Sequence, residues 1–168
     1  MNNTNRRNFL KSSATVGAGI TLTTQFNSTW AGIKGANTDV RAAVIGCGGK
    51  GSAHARHLKS LAKMGVRVTG ACDPDTTALD RQKKTFSDSK QKLNTYTDVR
   101  KLCEDKEVDA VIIATPNHWH TLAAIWALQA GKHVYVEKPV SHNIWEGGQL
   151  VKAAEKYSDL IVQRNVLC

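Results

Sequence analysis

The sequence predicts an α/β fold in which helices cover both faces of a doubly wound parallel sheet. Short apolar runs alternate along the chain with longer segments of helical periodicity, as strand–helix–strand units require. The loops between these segments are short, and the strongest predicted strand, residues 108–114, reads VDAVIIA, with apolar residues on both of its faces. Continuous apolar strands are typical of a parallel sheet that is buried on both faces.

Six strands and five helices are predicted from these patterns. The strands are expected at residues 40–45, 66–72, around 96, 108–114, 133–136 and 160–163, and the helices at residues 50–63, 75–87, 98–105, 117–130 and 142–157. Gly65 and Gly131 end two helices, because glycine readily adopts the conformation that closes a helix. Asp73-Pro74 stops the second strand. The helix at 117–130 is apolar on more than one side, so we expect it to be largely covered.

Composition excludes several classes of protein. The chain has 168 residues, 41% hydrophobic and 22% charged, which fits about one globular domain. No apolar run approaches the ~18 residues of a membrane-spanning helix, so no stable membrane anchor is expected. The four cysteines are too few for a disulfide scaffold and too far apart for a zinc module. The net charge of +9 is scattered without interleaved aromatic residues, which favours a solvated basic surface over nucleic-acid binding.

Residues 1–31 are predicted to be a twin-arginine-type signal peptide rather than part of the fold. Arg6-Arg7-Asn8-Phe9-Leu10-Lys11 precedes a mildly apolar stretch and an acceptable cleavage site near Ala31, although Asn5 departs from the usual Ser or Thr. The alternative is a disordered basic tail. Export would make the twin-arginine translocase a partner and the protein periplasmic or exported. A linker is expected at 32–38, before a domain at 39–163.

A glycine-rich turn follows the first predicted strand and opens the first predicted helix. Residues 46–51 read G-x-G-x-x-G, which is weak evidence alone but specific in this strand–turn–helix setting. Gly46 allows the tight turn, Gly48 lets the backbone approach a pyrophosphate, and Gly51 permits close helix–strand packing. The helix N-terminus then faces the anion. The pattern predicts a Rossmann-type dinucleotide site whose cofactor-binding residues include Gly46, Gly48, Gly49, Lys50 and Gly51.

Asp73 ends the second predicted strand, 22 residues after Gly51. This is close to the ~20-residue offset of the acid that binds a ribose in dinucleotide folds. A carboxylate there accepts hydrogen bonds from both ribose hydroxyls and repels a 2′-phosphate. We therefore expect NAD as cofactor, with NADP disfavoured. The alternative is that Asp73 merely starts an Asp-Pro turn.

Two further polar groups follow the fourth and fifth predicted strands, at the edge where open α/β sheets bind ligands. Lys138 of Glu137-Lys138-Pro139 precedes a proline, which keeps it out of helical geometry. It could hold a substrate hydroxyl and assist proton transfer, although such lysines are more often solvated surface charges. The other group is 115–120, in which His118 and His120 could suggest a pair of metal ligands. Alternation would place them on opposite sides of an extended segment, and no cluster of carboxylates accompanies them. We therefore expect a role in loop positioning or cofactor contact and no metal site.

Three separated motifs together resemble the Gfo/Idh/MocA oxidoreductases, the family of glucose–fructose oxidoreductase and inositol dehydrogenase. They are GCGGKG, CDPD and ATPNHWHTLAAIWALQAGKHVYVEKPV, and the resemblance covers about residues 40–163. It implies hydride transfer between nicotinamide and sugars, inositols or related polyols, with Lys138 as the catalytic-site lysine and Glu137 beside the nicotinamide ribose. It also implies cofactor contacts at Gly46, Gly48, Gly51, Asp73, Thr115, Pro116, Asn117 and His120.

The chain departs from the family after the sixth predicted strand. Members of the family continue into a C-terminal α/β domain that supplies the substrate pocket. Residues 164–168 here do not resemble that continuation, so we expect them to be an aberrant tail of the kind that a frameshift or premature stop would produce. We therefore expect a Rossmann domain that lacks the substrate domain and is incomplete for catalysis. We also expect an exposed apolar face that favours self-association into a homo-oligomer.

Three functions are compatible with these residues. The first is the NAD(P)-binding domain of an exported sugar or polyol oxidoreductase. The second is a non-catalytic module that binds a dinucleotide or a partner subunit. The third is a relative of the family's NAD-dependent glycosidases, which the Glu137-Lys138-Pro139 motif disfavours because those glycosidases depart from it.

Overall fold

The computed structural model describes residues 39–88 and 92–164, which belong to one compact unit, Lys34–Cys168. Its strands are β1 Val40–Ile45, β2 Val66–Cys72, β3 Asn94–Tyr96, β4 Ala110–Ile113, β5 His133–Val136 and β6 Val162–Arg164. Its helices are α1 Gly49–Ser60, α2 Thr76–Phe86, α3 Val99–Glu104, α4 His120–Gln129 and α5 Ile144–Lys156, with short 3-10 turns at Ala62–Met64 and Asn117–Trp119. None of these helices is long and apolar enough to cross a bilayer.

All neighbouring strands run parallel, in the order β3-β2-β1-β4-β5-β6. The chain moves outward from β1 to β3 and then returns to the other side of β1 at β4. The carboxyl ends of β1 and β4 thus form the point where the strand order reverses, and open α/β sheets bind ligands at that point. The predicted doubly wound parallel sheet is confirmed.

The two faces of the sheet bury different sets of apolar residues. On one face, Val44 and Val68 pack with Ala55 of α1 and Phe86 of α2. On the other face, side chains of β1, β4 and β5 pack against α3, α4 and α5, with residues such as Ile45, Ile113, Val136, Leu102, Leu128 and Leu150 at the centre. Alternate residues of β1 therefore serve both cores, which explains why residues 42–45 of this strand are all apolar.

Two local predictions are wrong. The sixth strand was expected at 160–163 but is Val162–Arg164, because Leu160 lies in the turn that closes α5 and donates its N–H to Tyr157. Arg164, expected in the tail, therefore pairs with Val136 in the sheet. Asn117–Trp119 is a 3-10 turn rather than extended chain, so His118 and His120 are not related by strand alternation. The predicted signal peptide (1–31), the linker (32–38) and residues 165–168 lie outside the described residues.

Arg41 joins β1 to the segment that precedes β4. Its side chain is buried, and its Nε and Nη2 atoms donate to the Asp109 carboxylate at 2.9 and 2.6 Å. Its Nη1 atom lies 2.9 Å from Glu107. The hydrogen bonds from Arg41 hold the pKa of Asp109 below its usual range. This ion pair lies at the amino ends of the strands, away from the edge that carries the polar motifs.

We expect Asp109→Asn to lower the free energy of unfolding by about 1–2 kcal/mol, because it leaves the buried Arg41 guanidinium poorly paired while Asp109 itself is partly exposed. Urea denaturation measures this loss. As the control, Glu104→Gln removes an exposed pair with Lys101 and should change stability by about 0.5 kcal/mol or less.

The stability lost in Asp109→Asn should also depend on pH. Because the pKa of Asp109 is lower folded than unfolded, its stabilisation is present above the unfolded pKa of about 4 and is lost as pH falls through the folded value. A gap between wild type and Asp109→Asn that stays constant on acidification would contradict this account.

Candidate functional site

The glycine-rich turn is built by contacts that exclude larger residues. Gly46 has φ of +86°, and a Cβ there would lie 2.7 Å from the Thr115 nitrogen. A Cβ on Gly51 would lie 1.7 Å from the Gly46 carbonyl oxygen. By contrast, a Cβ on Gly48 or Gly49 would meet nothing within 4 Å. The turn therefore needs glycine at its ends for packing, and its middle presents bare backbone to open space.

The first turn of α1 begins at this bare backbone. Gly48 occupies the cap position of α1 and contributes no side-chain hydrogen bond, and no acidic residue lies in the first turn. By comparison, α2, α3 and α5 begin with side chains that accept from their first-turn N–H groups, namely Asp75, Asp98 and Asn143. The first N–H groups of a helix, together with its dipole, favour an anion. The open cradle at Gly48 and Gly49 thus fits a diphosphate. Lys50 is exposed beside it.

Asp73 is tied to the glycine-rich turn. Its Oδ2 accepts a hydrogen bond from the Cys47 backbone N–H at 2.7 Å, and its Oδ1 accepts one from the Asp75 N–H at 2.9 Å. An ionised carboxylate has about four acceptor positions, so both oxygens keep capacity for ribose hydroxyls. Because Asp73 is half-buried and held on two sides, its position is fixed relative to the diphosphate cradle.

Cys47, between the first two motif glycines, serves the turn through its backbone. Ser52 donates its hydroxyl to the Cys47 carbonyl oxygen at 2.9 Å, and Gln82 donates to the Ser52 hydroxyl at 2.7 Å. Burial raises the pKa of the Cys47 thiol to about 12. The thiol therefore stays protonated at neutral pH and is unsuited to act as a nucleophile or a metal ligand.

A cleft of about 510 Å³ opens at the carboxyl ends of β1, β2 and β4. This size is within the usual range for ligand sites. The predicted residues Gly46, Asp73, Thr115 and Pro116 line it, together with Ile45, Cys72, Pro74, Thr97, Asp98, Val99, Arg100, His118, Trp119 and Trp126. The Thr115 hydroxyl is buried and has no hydrogen-bond partner among residues 39–88 and 92–164. A ligand in the cleft could satisfy it.

The sequence analysis did not identify the aromatic wall of this cleft. Trp119 and Trp126 lie with their ring centres 6.2 Å apart, and the Arg100 guanidinium is 5.6 Å from the centre of the Trp126 ring. Asp98 fixes Arg100 through a 2.7 Å ion pair. This wall faces the same cleft as Asp73, and its planar groups suit a purine. Trp126 lies in a helix whose apolar sequence predicts burial against the rest of the domain, so nothing in the sequence indicated a role in the cleft.

His120 connects the segment that follows β4 to the segment that follows β5. Its side chain is buried at the start of α4, with Nδ1 2.6 Å from the Pro139 carbonyl oxygen and Nε2 2.8 Å from the Thr115 carbonyl oxygen. Both ring nitrogens are therefore engaged by the protein backbone. The cofactor contact expected for His120 stays a prediction, and so does the contact expected for Asn117, which does not line the cleft.

Glu137 and Lys138 follow β5 at the same edge of the sheet. Glu137 is buried, and its N–H donates to the Ile113 carbonyl oxygen at 2.9 Å. Its Oε1 atom lies 2.6 Å from Nε2 of His54, a residue of α1 that the sequence analysis did not select. Lys138 is exposed. Neither Glu137 nor Lys138 lines the cleft beside Asp73, so the edge has two separate parts. In the part of the chain that the structure describes, no three His, Cys, Asp or Glu residues form a metal-binding group.

The glycine geometry predicts a sharp contrast between two conservative substitutions. Gly51→Ala should lower the free energy of unfolding by about 2–3 kcal/mol, because the new methyl group would overlap the Gly46 carbonyl oxygen. Gly49→Ala is the matched control in the same helix turn. Its methyl group meets open space, so stability should be unchanged or up to about 1 kcal/mol higher. Chemical denaturation measures both, and equal effects would disprove the packing role of Gly51.

Comparison with known proteins agrees with this geometry. Residues 40–165 match the Gfo/Idh/MocA family, described as "Oxidoreductase family, NAD-binding Rossmann fold". "Glycosyl hydrolase family 109 protein 2" of Shewanella sp. (strain ANA-3) is 35% identical over 134 residues, covering 77% of this chain and 28% of that protein. "Glycosyl hydrolase family 109 protein" of Solibacter usitatus (strain Ellin6076) is 30% identical over 178 residues, covering 100% of this chain and 40% of that protein.

Two solved structures show the same fold. Myo-inositol 2-dehydrogenase from Lactobacillus plantarum is 31% identical with a TM-score of 0.69, covering 76% of this chain and 36% of that one. The WlbA dehydrogenase from Chromobacterium violaceum, in complex with NADH and UDP-GlcNAcA, is 25% identical with a TM-score of 0.70, covering 77% of this chain and 36% of that one. The chain thus spans less than half the length of these relatives. It belongs to the Gfo/Idh/MocA oxidoreductase family, and its described residues form that family's NAD-binding Rossmann domain.

Proposed function

We propose that this chain is the NAD-binding part of an exported oxidoreductase that transfers hydride between a sugar or polyol and nicotinamide. The observation that carries the proposal is the open backbone cradle at Gly48 and Gly49, with the Asp73 carboxylate tied to the same turn at 2.7 Å from Cys47. A dinucleotide carries a ribose next to its diphosphate, so a carboxylate held against the cradle suits that ribose, and the adjoining cleft of about 510 Å³ has room for the base.

The residues of the edge divide the work of holding the cofactor. The first N–H groups of α1 bind the diphosphate, Asp73 accepts from the adenosine ribose, and the Thr115 hydroxyl supplies a further polar contact. The aromatic wall of Trp119 and Trp126 holds the base. Bound NAD supplies the hydride acceptor. Lys138, exposed beyond the end of β5, donates a hydrogen bond to the substrate hydroxyl oxygen and so positions the substrate and assists the proton transfer that accompanies its oxidation.

The substrate pocket of this enzyme is proposed to lie largely outside residues 39–164. The relatives are much longer than the stretch they share with this chain, which covers 28% to 40% of two of them. Ile144 and Trp145 at the start of α5 are 95% and 72% exposed, as expected of a face that a further domain covers. The substrate class, a sugar or polyol, is carried over from the family. The partners proposed are this substrate, the twin-arginine translocase and further copies of the chain in a homo-oligomer.

Export is proposed from the sequence of the N-terminus. Arg6 and Arg7, followed by Phe9, Leu10 and a weakly apolar stretch, support a twin-arginine signal and a periplasmic or exported location. This pathway carries folded proteins, so NAD could be bound before export.

A second candidate function is a glycosidase that uses NAD transiently, with no net oxidation or reduction of the cofactor. The two glycosyl hydrolase family 109 relatives, at 35% and 30% identity, favour it, whereas the Glu137-Lys138-Pro139 motif favours the oxidoreductase. The two reactions differ in their products. In a protein that carries both this domain and the substrate pocket, incubation with NAD and a set of polyols produces NADH only if the protein is an oxidoreductase, while an aryl glycoside releases its phenol without NADH if it is a glycosidase.

Gly48→Val should abolish NAD binding, because the side chain would fill the space into which the diphosphate must approach. Isothermal titration of the full chain with NAD measures this loss. Gly148→Val, at an open position in α5 away from the cradle, is the matched control and should bind NAD like wild type. Equal NAD affinity in wild type and Gly48→Val would exclude the cradle as the binding site.

NAD is proposed as the cofactor in preference to NADP, because the Asp73 carboxylate would repel a 2′-phosphate. Asp73→Asn keeps the size of the side chain and one acceptor for the Cys47 N–H but removes the charge. The ratio of NAD affinity to NADP affinity should fall by about tenfold, corresponding to about 1.4 kcal/mol. Asp80→Asn, an exposed acid on α2, should leave the ratio unchanged. An unchanged ratio in Asp73→Asn would refute the charge argument.

A further inference from the structure

We infer that His54 is a cofactor-positioning residue that acts through Glu137 at the nicotinamide end of the site. This inference rests on the proposed NAD binding and extends it to a residue that is not in the glycine motif. The observation behind it is the 2.6 Å contact between His54 Nε2 and the buried Glu137 carboxylate.

The position of Glu137 follows from the direction in which a dinucleotide must extend. Asp73 and the aromatic cleft lie at the ends of β2, β1 and β4, and the diphosphate cradle lies at the end of β1. With the adenosine half on the β2 side, the other half must continue from the cradle past β4 toward β5. Glu137 is the first residue after β5, and its N–H is bound to the Ile113 carbonyl of β4. The second ribose therefore comes nearest to Glu137.

The Glu137 carboxylate is held on both oxygens. Oε1 accepts from His54, and Oε2 lies 3.2 Å from the N–H of Lys138. The Glu137 side chain is 7% exposed, and a carboxyl group buried to this degree needs charged or polar partners. His54 supplies one of them, and its own ring is fixed edge-on to Tyr135 with ring centres 5.6 Å apart. The pair thus presents an oriented, acceptor-bearing carboxylate beside Lys138.

His54 also couples the two halves of the site. It lies on α1, three residues beyond Gly51. The helix whose N-terminus would bind the diphosphate therefore also carries the side chain that contacts Glu137. If the His54–Glu137 pair only holds α1 against β5, removing it should lower the affinity for every ligand of this site equally. If the pair positions Glu137 for the second ribose, removing it should lower the affinity only for ligands that contain that ribose.

Titration of the full chain with NAD and, separately, with ADP distinguishes these roles, because ADP carries the adenosine and diphosphate but no second ribose. His54→Leu should weaken NAD binding by about tenfold and leave ADP affinity within about twofold. His54→Gln, which keeps a donor for Glu137, should recover most of the NAD affinity. His57→Leu, an exposed histidine on the same helix, is the matched control and should bind both ligands like wild type.

Each outcome decides the inference. Equal weakening of NAD and ADP, or unchanged NAD affinity in His54→Leu, would overturn it while leaving NAD binding by the wild type intact. If His54→Leu does not fold, Glu137→Gln replaces it and should show the same selective loss of NAD affinity. A wild-type chain that binds neither ligand would instead refute the proposed function, and this inference with it.

Discussion

The contact between Gly51 and the Gly46 carbonyl oxygen determines how the rest of the site is arranged. A Cβ on Gly51 would stand 1.7 Å from that oxygen, so the first turn of α1 can lie directly on the end of β1 only if this residue is glycine. This close approach brings uncapped helical N–H groups to the edge of the sheet where the strand order reverses. Gly46 completes the turn with φ of +86°, against the backbone of Ala114 and Thr115. The N-terminus of α1, which has no side-chain cap, is thereby placed between the ends of β1 and β4.

Three side chains then fix the other strand ends relative to this turn. Asp73 joins the end of β2 to Cys47, His120 joins the segments after β4 and β5, and Glu137 joins the end of β5 to α1. Each of these polar groups is buried or half-buried, and each has a specific partner, as the cost of burying an unpaired polar group requires. The site is preorganised by these connections rather than by the loops themselves. These polar groups lie at the carboxyl ends of the strands, whereas the Arg41–Asp109 ion pair lies at their amino ends.

The sequence was sufficient to predict the sheet and most of its elements, because the apolar runs and the glycine motif are local signals. It could not predict His54, since the contact with Glu137 joins residues 83 positions apart and neither residue type is unusual at its own position. The roles of Arg100 and Trp126 were missed because their contact exists only in the folded chain and because the helix that holds Trp126 was expected to be covered. The sixth strand was misplaced because Leu160 is apolar but packs in a turn, and periodicity cannot separate these two environments. Long-range partners and short apolar segments thus mark the limit of the sequence analysis.

A crystal structure of the chain grown with NAD is the most direct test of the central claim that the edge formed by β2, β1, β4 and β5 is a dinucleotide site. The account predicts density for the diphosphate at the N–H groups of Gly48 and Gly49, for the adenosine ribose at Asp73, and for the second ribose beside Glu137. Density for NAD at any other surface, with the glycine-rich turn in contact with solvent alone, would contradict it.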